Sequence, residues 1–194
     1  MVLLKEARAC SDAQLVEECR SGDTSAFDEI VHRYKDRIYN VVYRFVGNHE
    51  DAQDVAQEVF VRAYRGVGRF RGSAKVYTWL YSIAANLARN RLRDSGRKGR
   101  DMGTSLEAMK RPLAADGAHT PRALAQRHEL DETLQACLND LPEHYRMAFV
   151  LRVFEDLSYD EIAQTVGCPK GTVKSRINQA RKLLRERLES LSFV

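Results

Sequence analysis

The chain has 194 residues, 44% hydrophobic and 30% charged, with a net charge of +4, enough apolar material for one ordinary core or two small ones. No apolar run approaches the ~20 residues of a membrane-crossing helix. Only Val2, Leu3 and Leu4 stand between Met1 and Lys5, well short of the ~7–15 apolar residues of a secretory leader, so a cytoplasmic protein is expected. Cys10, Cys19, Cys137 and Cys168 are scattered without CxxC spacing and read as free thiols in a reducing compartment.

In chain order, a short helix is expected near 12–21. Phe27, Ile30, Val31, Tyr34, Ile38, Val41, Val42 and Phe45 then recur at spacings of three and four, which predicts a helix near 25–46 with one apolar stripe. Gly47-Asn48 breaks it, and Asn48 suits the N-cap of the next helix. There Ala52, Val55, Ala56, Val59, Phe60 and Ala63 form the buried face. Another helix near 75–93 buries Leu80, Ile83, Ala84 and Leu87. From Ser95 to Thr120 the periodicity dissolves among Gly96, Gly99, Gly103, Pro112 and Gly117, and residues 96–128 read as a flexible linker. Thr120-Pro121 opens a further helix that carries Leu124, Leu130, Leu134, Cys137, Leu138 and Leu141. Pro142 restarts the chain into a helix that buries Met147, Val150 and Leu151. No alternating pattern persists long enough for a sheet. The expected fold is all-α: a helical bundle over 1–95 and a helix-turn-helix domain over 129–194, joined by the linker 96–128.

Ser158-Tyr159-Asp160-Glu161 is a capping box. The helix it opens carries Ile162, Ala163 and Val166 and stops at Gly167, the residue type suited to a left-handed cap. After Cys168-Pro169 a second helix keeps Val173, Ile177, Ala180, Leu184 and Leu188 on one side, completing a helix-turn-helix pattern. At 100° per residue, Gly171, Ser175, Asn178 and Lys182 form the opposite ridge, flanked by Lys174, Arg181 and Arg185, with Gln179 on the other side. Such a ridge suits a helix in a major groove, where amides and hydroxyls read base edges and cations hold phosphates. Arg176 points toward the apolar flank, either packing its stem or reaching sideways to a phosphate. An ordinary amphipathic surface helix is the simpler alternative; the agreement of turn, caps and charge favours DNA.

Charge is segmental. Residues 1–61 sum to −5, residues 62–100 to +10, residues 129–169 to −7 and residues 170–187 to +6. Two basic segments, each preceded by an acidic one, suggest two modules that each touch a polyanion. The first holds eleven basic side chains and one acidic one, Asp94, interleaved with Tyr64, Phe70, Tyr77, Trp79 and Tyr81. Cations that follow a backbone beside rings that accept unstacked bases suit single-stranded or melting nucleic acid. Phe70-Arg71-Gly72-Ser73 reads as a loop able to hold an extruded base; some of the tyrosines are alternatively core residues, and for Trp79 taken alone the core is the better reading. A zinc or redox site finds no ligand spacing among the cysteines or among His32, His49, His119, His128 and His144. Catalysis finds no nucleophile or Gly-rich loop beside the carboxylates, and a dimeric helix-turn-helix repressor would leave the basic aromatic centre unexplained. No cofactor or metal is expected.

The stretches DAQDVAQEVFVRAYRGVGRFRG, YTWLYSIAANLARNRLR and LPEHYRMAFVLRVFEDLSYDEIAQTVGCPKGTVKSRINQAR resemble bacterial RNA polymerase sigma factors of the extracytoplasmic-function group. The resemblance covers about residues 12–95 and 129–188. It implies a transcription initiation factor without covalent chemistry of its own, which brings core RNA polymerase to promoters and assists strand opening. By the same resemblance, Asp51, Asp54, Gln57 and Glu58 contact the clamp coiled coil of the large polymerase subunits, whose flap is a further contact. Phe70, Arg71, Ser73, Lys75, Tyr77, Trp79, Asn86, Asn90 and Arg93 match the reader of the single-stranded −10 element. Gly171, Thr172, Lys174, Ser175, Arg176, Asn178, Gln179, Arg181 and Lys182 match the reader of the duplex −35 element. Asn178-Gln179 departs from relatives that carry a larger or basic residue followed by arginine. An anti-sigma partner, often membrane-anchored in the family, commonly masks such DNA-facing surfaces.

Overall fold

Helix ends fall where the sequence offers the backbone a partner. The computed structural model describes residues 10–70, 72, 74–98 and 121–191; Arg71, Ser73 and residues 99–120 of the expected linker lie outside them. Helix α1 (Asp12–Arg20) starts in a capping box made by Ser11 and Gln14. In α2 (Thr24–Val46) the Asp23 carboxylate accepts from the Ser25 amide, and the helix ends on Gly47 at φ 86°. Asn48 caps α3 (His49–Gly66) by accepting from the Asp51 amide. A 3-10 turn (Val67–Arg69) leads toward α4 (Val76–Lys98), followed by α5 (Pro121–Asn139), α6 (Glu143–Val153), α7 (Tyr159–Val166) and α8 (Lys170–Ser190). Among the described residues there is no strand. The capping box of Ser158 and Glu161 and the left-handed Gly167 form as the sequence predicts. Helix also extends into both ends of the 96–128 segment, since α4 runs to Lys98 and α5 starts at Pro121.

The amino-terminal domain packs α2, α3 and α4 against one another, with α1 laid on α2. Ile30, Ile38, Val42 and Phe45 of α2 meet Ala52, Val59 and Ala63 of α3 and Leu80, Ala84 and Ala88 of α4, all of them fully buried or nearly so. Two expectations shift. Tyr81, grouped with the nucleic-acid-facing aromatics, is 0% exposed and belongs to the core; Phe60 and Ile83 are half-buried rather than sealed. The second domain gathers Leu138, Met147, Leu151, Ile162, Val173, Ile177 and Leu184. Leu130, expected on the apolar face of α5, is exposed instead.

The two domains are also packed on each other. Helix α7 lies along α4, while α5 and α6 meet α2. At this junction Arg146 of α6, only 6% exposed, donates to the Phe45 carbonyl at 2.7 Å, the Asn139 carbonyl at 2.7 Å and the Leu141 carbonyl at 3.1 Å. These carbonyls sit at the carboxy-terminal ends of α2 and α5, where acceptors lack helical donors and the helix dipoles are negative. Burial pushes the Arg146 guanidinium below its ordinary value, yet arginine stays charged in protein interiors. Nearby, Arg44 donates to the Gln135 amide oxygen at 3.1 Å, pairs with Asp131 and lies over the Phe154 ring. Gly47 passes so close to Asn139 that a Cβ would overlap the side-chain amide.

Gly47→Ala should therefore cost about 1–3 kcal/mol, from the left-handed backbone and the overlap together. Adding Asn139→Ala should recover part of the loss in chemical denaturation. Strictly additive effects of the two changes would show that the two residues are not coupled across the junction.

Candidate nucleic-acid interface

The loop that precedes α4 is held from two sides. Phe70 packs on Trp79 with ring centroids 4.8 Å apart, so both rings are half-buried supports of the loop. Arg20 of α1 donates to the Phe70 carbonyl at 2.5 Å. Between α1 and the loop opens a cavity of about 520 Å³ lined by Val16, Arg20, Phe70, Gly72, Lys75 and Tyr77 among others. Farther along α4, Asn86, Asn90 and Arg93 are exposed and recur at spacings of four and three, so they share one stripe. Arg89 donates to the Asn86 side-chain oxygen at 3.1 Å, and Arg93 to that of Asn90 at 2.5 Å.

The four residues expected to face polymerase divide. Asp54 and Gln57 are exposed on α3, and Glu58 pairs with Arg62 at 2.7 Å. Asp51 is instead a tie within the domain: its carboxylate accepts from Asn48 at 2.9 Å and from Arg91 of α4 at 2.5 Å. On the same face as Asp54, Gln57 and Glu58 lie the exposed apolar residues Val61 and Tyr64. Sequence reasoning passed over Val61 and grouped Tyr64 with the nucleic-acid-facing aromatics; the signal was that both fall off the buried stripe of α3.

Helix α8 presents the expected ridge. Gly171, Lys174, Ser175, Asn178, Arg181 and Lys182 are exposed, with Thr172 and Gln179 at its edges. Arg176 is half-buried, and its guanidinium reaches the Cys168 sulfur at 3.6 Å. Among the described residues, no group of three or more His, Cys, Asp and Glu side chains is disposed to hold a metal.

Besides Asp131, which pairs with Arg44, and Glu143, 3.9 Å from Arg89, Glu161 and Glu155 of the second domain meet the first, and neither was legible as a partner in sequence. Glu161 accepts from the Tyr77 hydroxyl at 2.6 Å and pairs with Lys75 at 3.2 Å, while its other oxygen holds Ser158 in the capping box. The Tyr77 hydroxyl, followed by the Ser158 donors, holds the Glu161 carboxyl down to about 2. Glu155 accepts from Arg37 at 2.8 Å and from the Tyr81 hydroxyl. Burial, then the hydrogen bond to Glu155, pushes Tyr81 up from its ordinary value, so it stays protonated as a donor.

Because the Glu161 value is depressed, the stability it contributes is complete above the ordinary value of 4.5 and is lost as pH falls toward 2. Carboxyl NMR should find Glu161 titrating near 2, and Tyr77→Phe should raise its midpoint toward 4.5. An unmoved midpoint would place the whole effect in the capping box.

Comparison with known proteins follows the same division. Residues 30–98 match the Sigma-70 region 2 family and residues 131–184 the Sigma-70 region 4 family. Along its length the chain is similar to the RNA polymerase sigma-H factor of Pseudomonas aeruginosa, 42% identical over 183 residues, which are 93% of this chain and 95% of that protein. It is similar to the ECF RNA polymerase sigma factor SigW of Bacillus subtilis, 39% identical over 91% of this chain and 96% of that one. The fold resembles the sigma factor RpoE solved with the anti-sigma factor NepR from Bartonella quintana, with a TM-score of 0.67 at 24% identity, covering 84% of this chain and 96% of that one. It also resembles CnrH in complex with the cytosolic domain of CnrY, with a TM-score of 0.66 at 24% identity, covering 92% of this chain and 97% of that one.

Proposed function

Since the chain belongs to the extracytoplasmic-function sigma factors of bacterial RNA polymerase, a transcription initiation factor that directs the polymerase to promoters, we propose how its surfaces divide that work. The observation that carries the reading is the presence, in one chain, of a helix rich in cations whose start borders a cavity of about 520 Å³ and of a separate recognition helix with an exposed polar ridge. The bundle through residue 95 takes core polymerase and the −10 element; residues 129–194 take the −35 element; the 96–128 segment connects them.

Asp54, Gln57 and Glu58, with Val61 and Tyr64, offer the clamp a mixed polar and apolar face on α3. Asp51 supports that face through Arg91. Lys75, Tyr77, Asn86, Asn90 and Arg93 take the displaced strand, with Arg71 and Ser73 of the loop, while Phe70, packed on Trp79, lines the cavity offered to an extruded base. Stacking of ~1–3 kcal/mol per captured base, added to phosphate contacts, supplies the energy of strand opening. Helix α8 reads duplex through Ser175, Asn178 and Gln179, positioned by Lys174, Arg181 and Lys182 on phosphates and by the small Gly171 and Thr172 at its start. No residue here forms or breaks a covalent bond. No helix among the described residues is long and apolar enough to cross a membrane, which fits work in the cytoplasm. An anti-sigma protein is the expected regulator, as for the related fold solved with the anti-sigma factor NepR.

Run-off transcription with core polymerase on a genomic library tests the reading: discrete starts sharing two upstream elements are expected, and no initiation anywhere would overturn it. Neutralising Lys174 or Arg181 should weaken promoter binding and lower the salt slope by about 0.9 per lost phosphate contact. Asn86→Ala should impair −10 selection and leave polymerase binding intact; loss of both would make the residue structural.

A further inference from the structure

We propose that Arg20 of α1 is a positioning residue for base capture: its bond to the Phe70 carbonyl holds Phe70 at the wall of the cavity. The inference rests on the assignment of that cavity to an extruded base. No part of promoter reading falls to α1 in that assignment, yet α1 supplies Asp12, Val16, Glu17 and Arg20 to the lining. Phe70 leaves the 3-10 turn in an extended conformation, at φ −67° and ψ 115°, and three contacts place it. Its amide donates to the Val67 carbonyl at 3.2 Å, its ring packs on Trp79 with centroids 4.8 Å apart, and its carbonyl accepts from Arg20 at 2.5 Å. The last of these acts on the peptide that leads into the loop. Farther on, Gly72 stands at φ 68°, and among the described residues nothing comes within 4 Å of where its Cβ would be. Packing among these residues does not fix the chain there, so its direction is set at Phe70.

Arg20 can hold Phe70 because it is itself held. It lies in the last turn of α1, where a cation suits the helix dipole. Its other terminal nitrogen pairs with Glu17 at 3.2 Å. A guanidinium serves two such acceptors in fixed directions, which a point charge does not. Helix α1 is in turn anchored on the bundle. Leu15 and Val16 are buried, and Asp12 accepts from the Tyr34 hydroxyl at 2.5 Å and pairs with Arg33 of α2 at 3.2 Å. A fixed post thus sets the near end of the loop assigned to the displaced strand. A site that must receive a flipped base needs such a support, because small displacements of its wall weaken stacking.

The test uses Arg20→Met, which keeps the apolar stem and a good helix former and removes the donor. Trp79 is the sole tryptophan of the chain, so its fluorescence reports the Phe70 contact in the free, full-length protein. In the variant, acrylamide quenching of Trp79 should rise and its emission should shift to the red, as Phe70 uncovers the ring. Binding is then measured with the holoenzyme on fork DNA that carries a promoter found by run-off transcription. The displaced −10 strand is either intact or abasic at one position, each position being taken in turn. In wild type, one position should cost about tenfold when abasic, the loss of a stacked base. Arg20→Met should weaken binding of the intact strand about fivefold, the scale of one hydrogen bond to a charged group. It should leave binding of the strand abasic at that position nearly unchanged, so that the penalty shrinks there and nowhere else. Equal weakening on every template, intact or abasic, is a plain charge or stability effect and overturns the proposal. Unchanged Trp79 quenching overturns it too. A wild-type protein with no abasic penalty at any position overturns the base-capture reading itself, so the two failures are told apart.

Discussion

A guanidinium buried against helix ends holds the two domains in register. The last carbonyls of α2 and α5 converge where no water can serve them, and buried acceptors without donors are expensive. Arg146 answers with a planar fork that reaches Phe45, Asn139 and Leu141 at once. A lysine carries one point of charge and cannot span three carbonyls in fixed directions. Once Arg146 is seated, α6 lies against α2, Gly47 meets Asn139, and α7 falls along α4. The carboxylates at 155 and 161 reach their partners as a result of that placement.

The junction combines two kinds of contact. The buried apolar residues of the two domains form one continuous cluster, and polar ties from Arg146, Arg44, Arg37, Tyr77 and Tyr81 to their acceptors run beside it. Polar pairs lose less on separation, because water replaces most of their bonds. Arg146 divides its bonds: Asn139 and Leu141 lie within its own domain, and Phe45 lies across the junction.

Local order was legible in the sequence because local chemistry sets it. Asn48, Ser158 and Gly167 marked helix ends, and the stripe from Phe27 to Phe45 marked a buried face, since a helix repeats every 3.6 residues whatever it packs against. Relations between distant elements carried no such period. Asp51 looked like a surface carboxylate, and only the approach of α4 reveals Arg91 beside it. Tyr81 shared a segment with exposed cations, and its ring was read with them until the core enclosed it. Glu161 had a complete local role as a cap, which hid its second bond to Tyr77. The α8 ridge was read correctly as exposed because its opposite side is buried within its own domain, so no long-range information was needed.

On the proposed assignment, the two reading surfaces are unequal when the domains are packed. Among the described residues, Lys174, Ser175, Asn178 and Arg181 on α8 make no bond to the amino-terminal domain, so duplex contact there is compatible with that packing. Tyr77 and Lys75 are engaged by Glu161, so on the same assignment a single strand competes with that carboxylate for them.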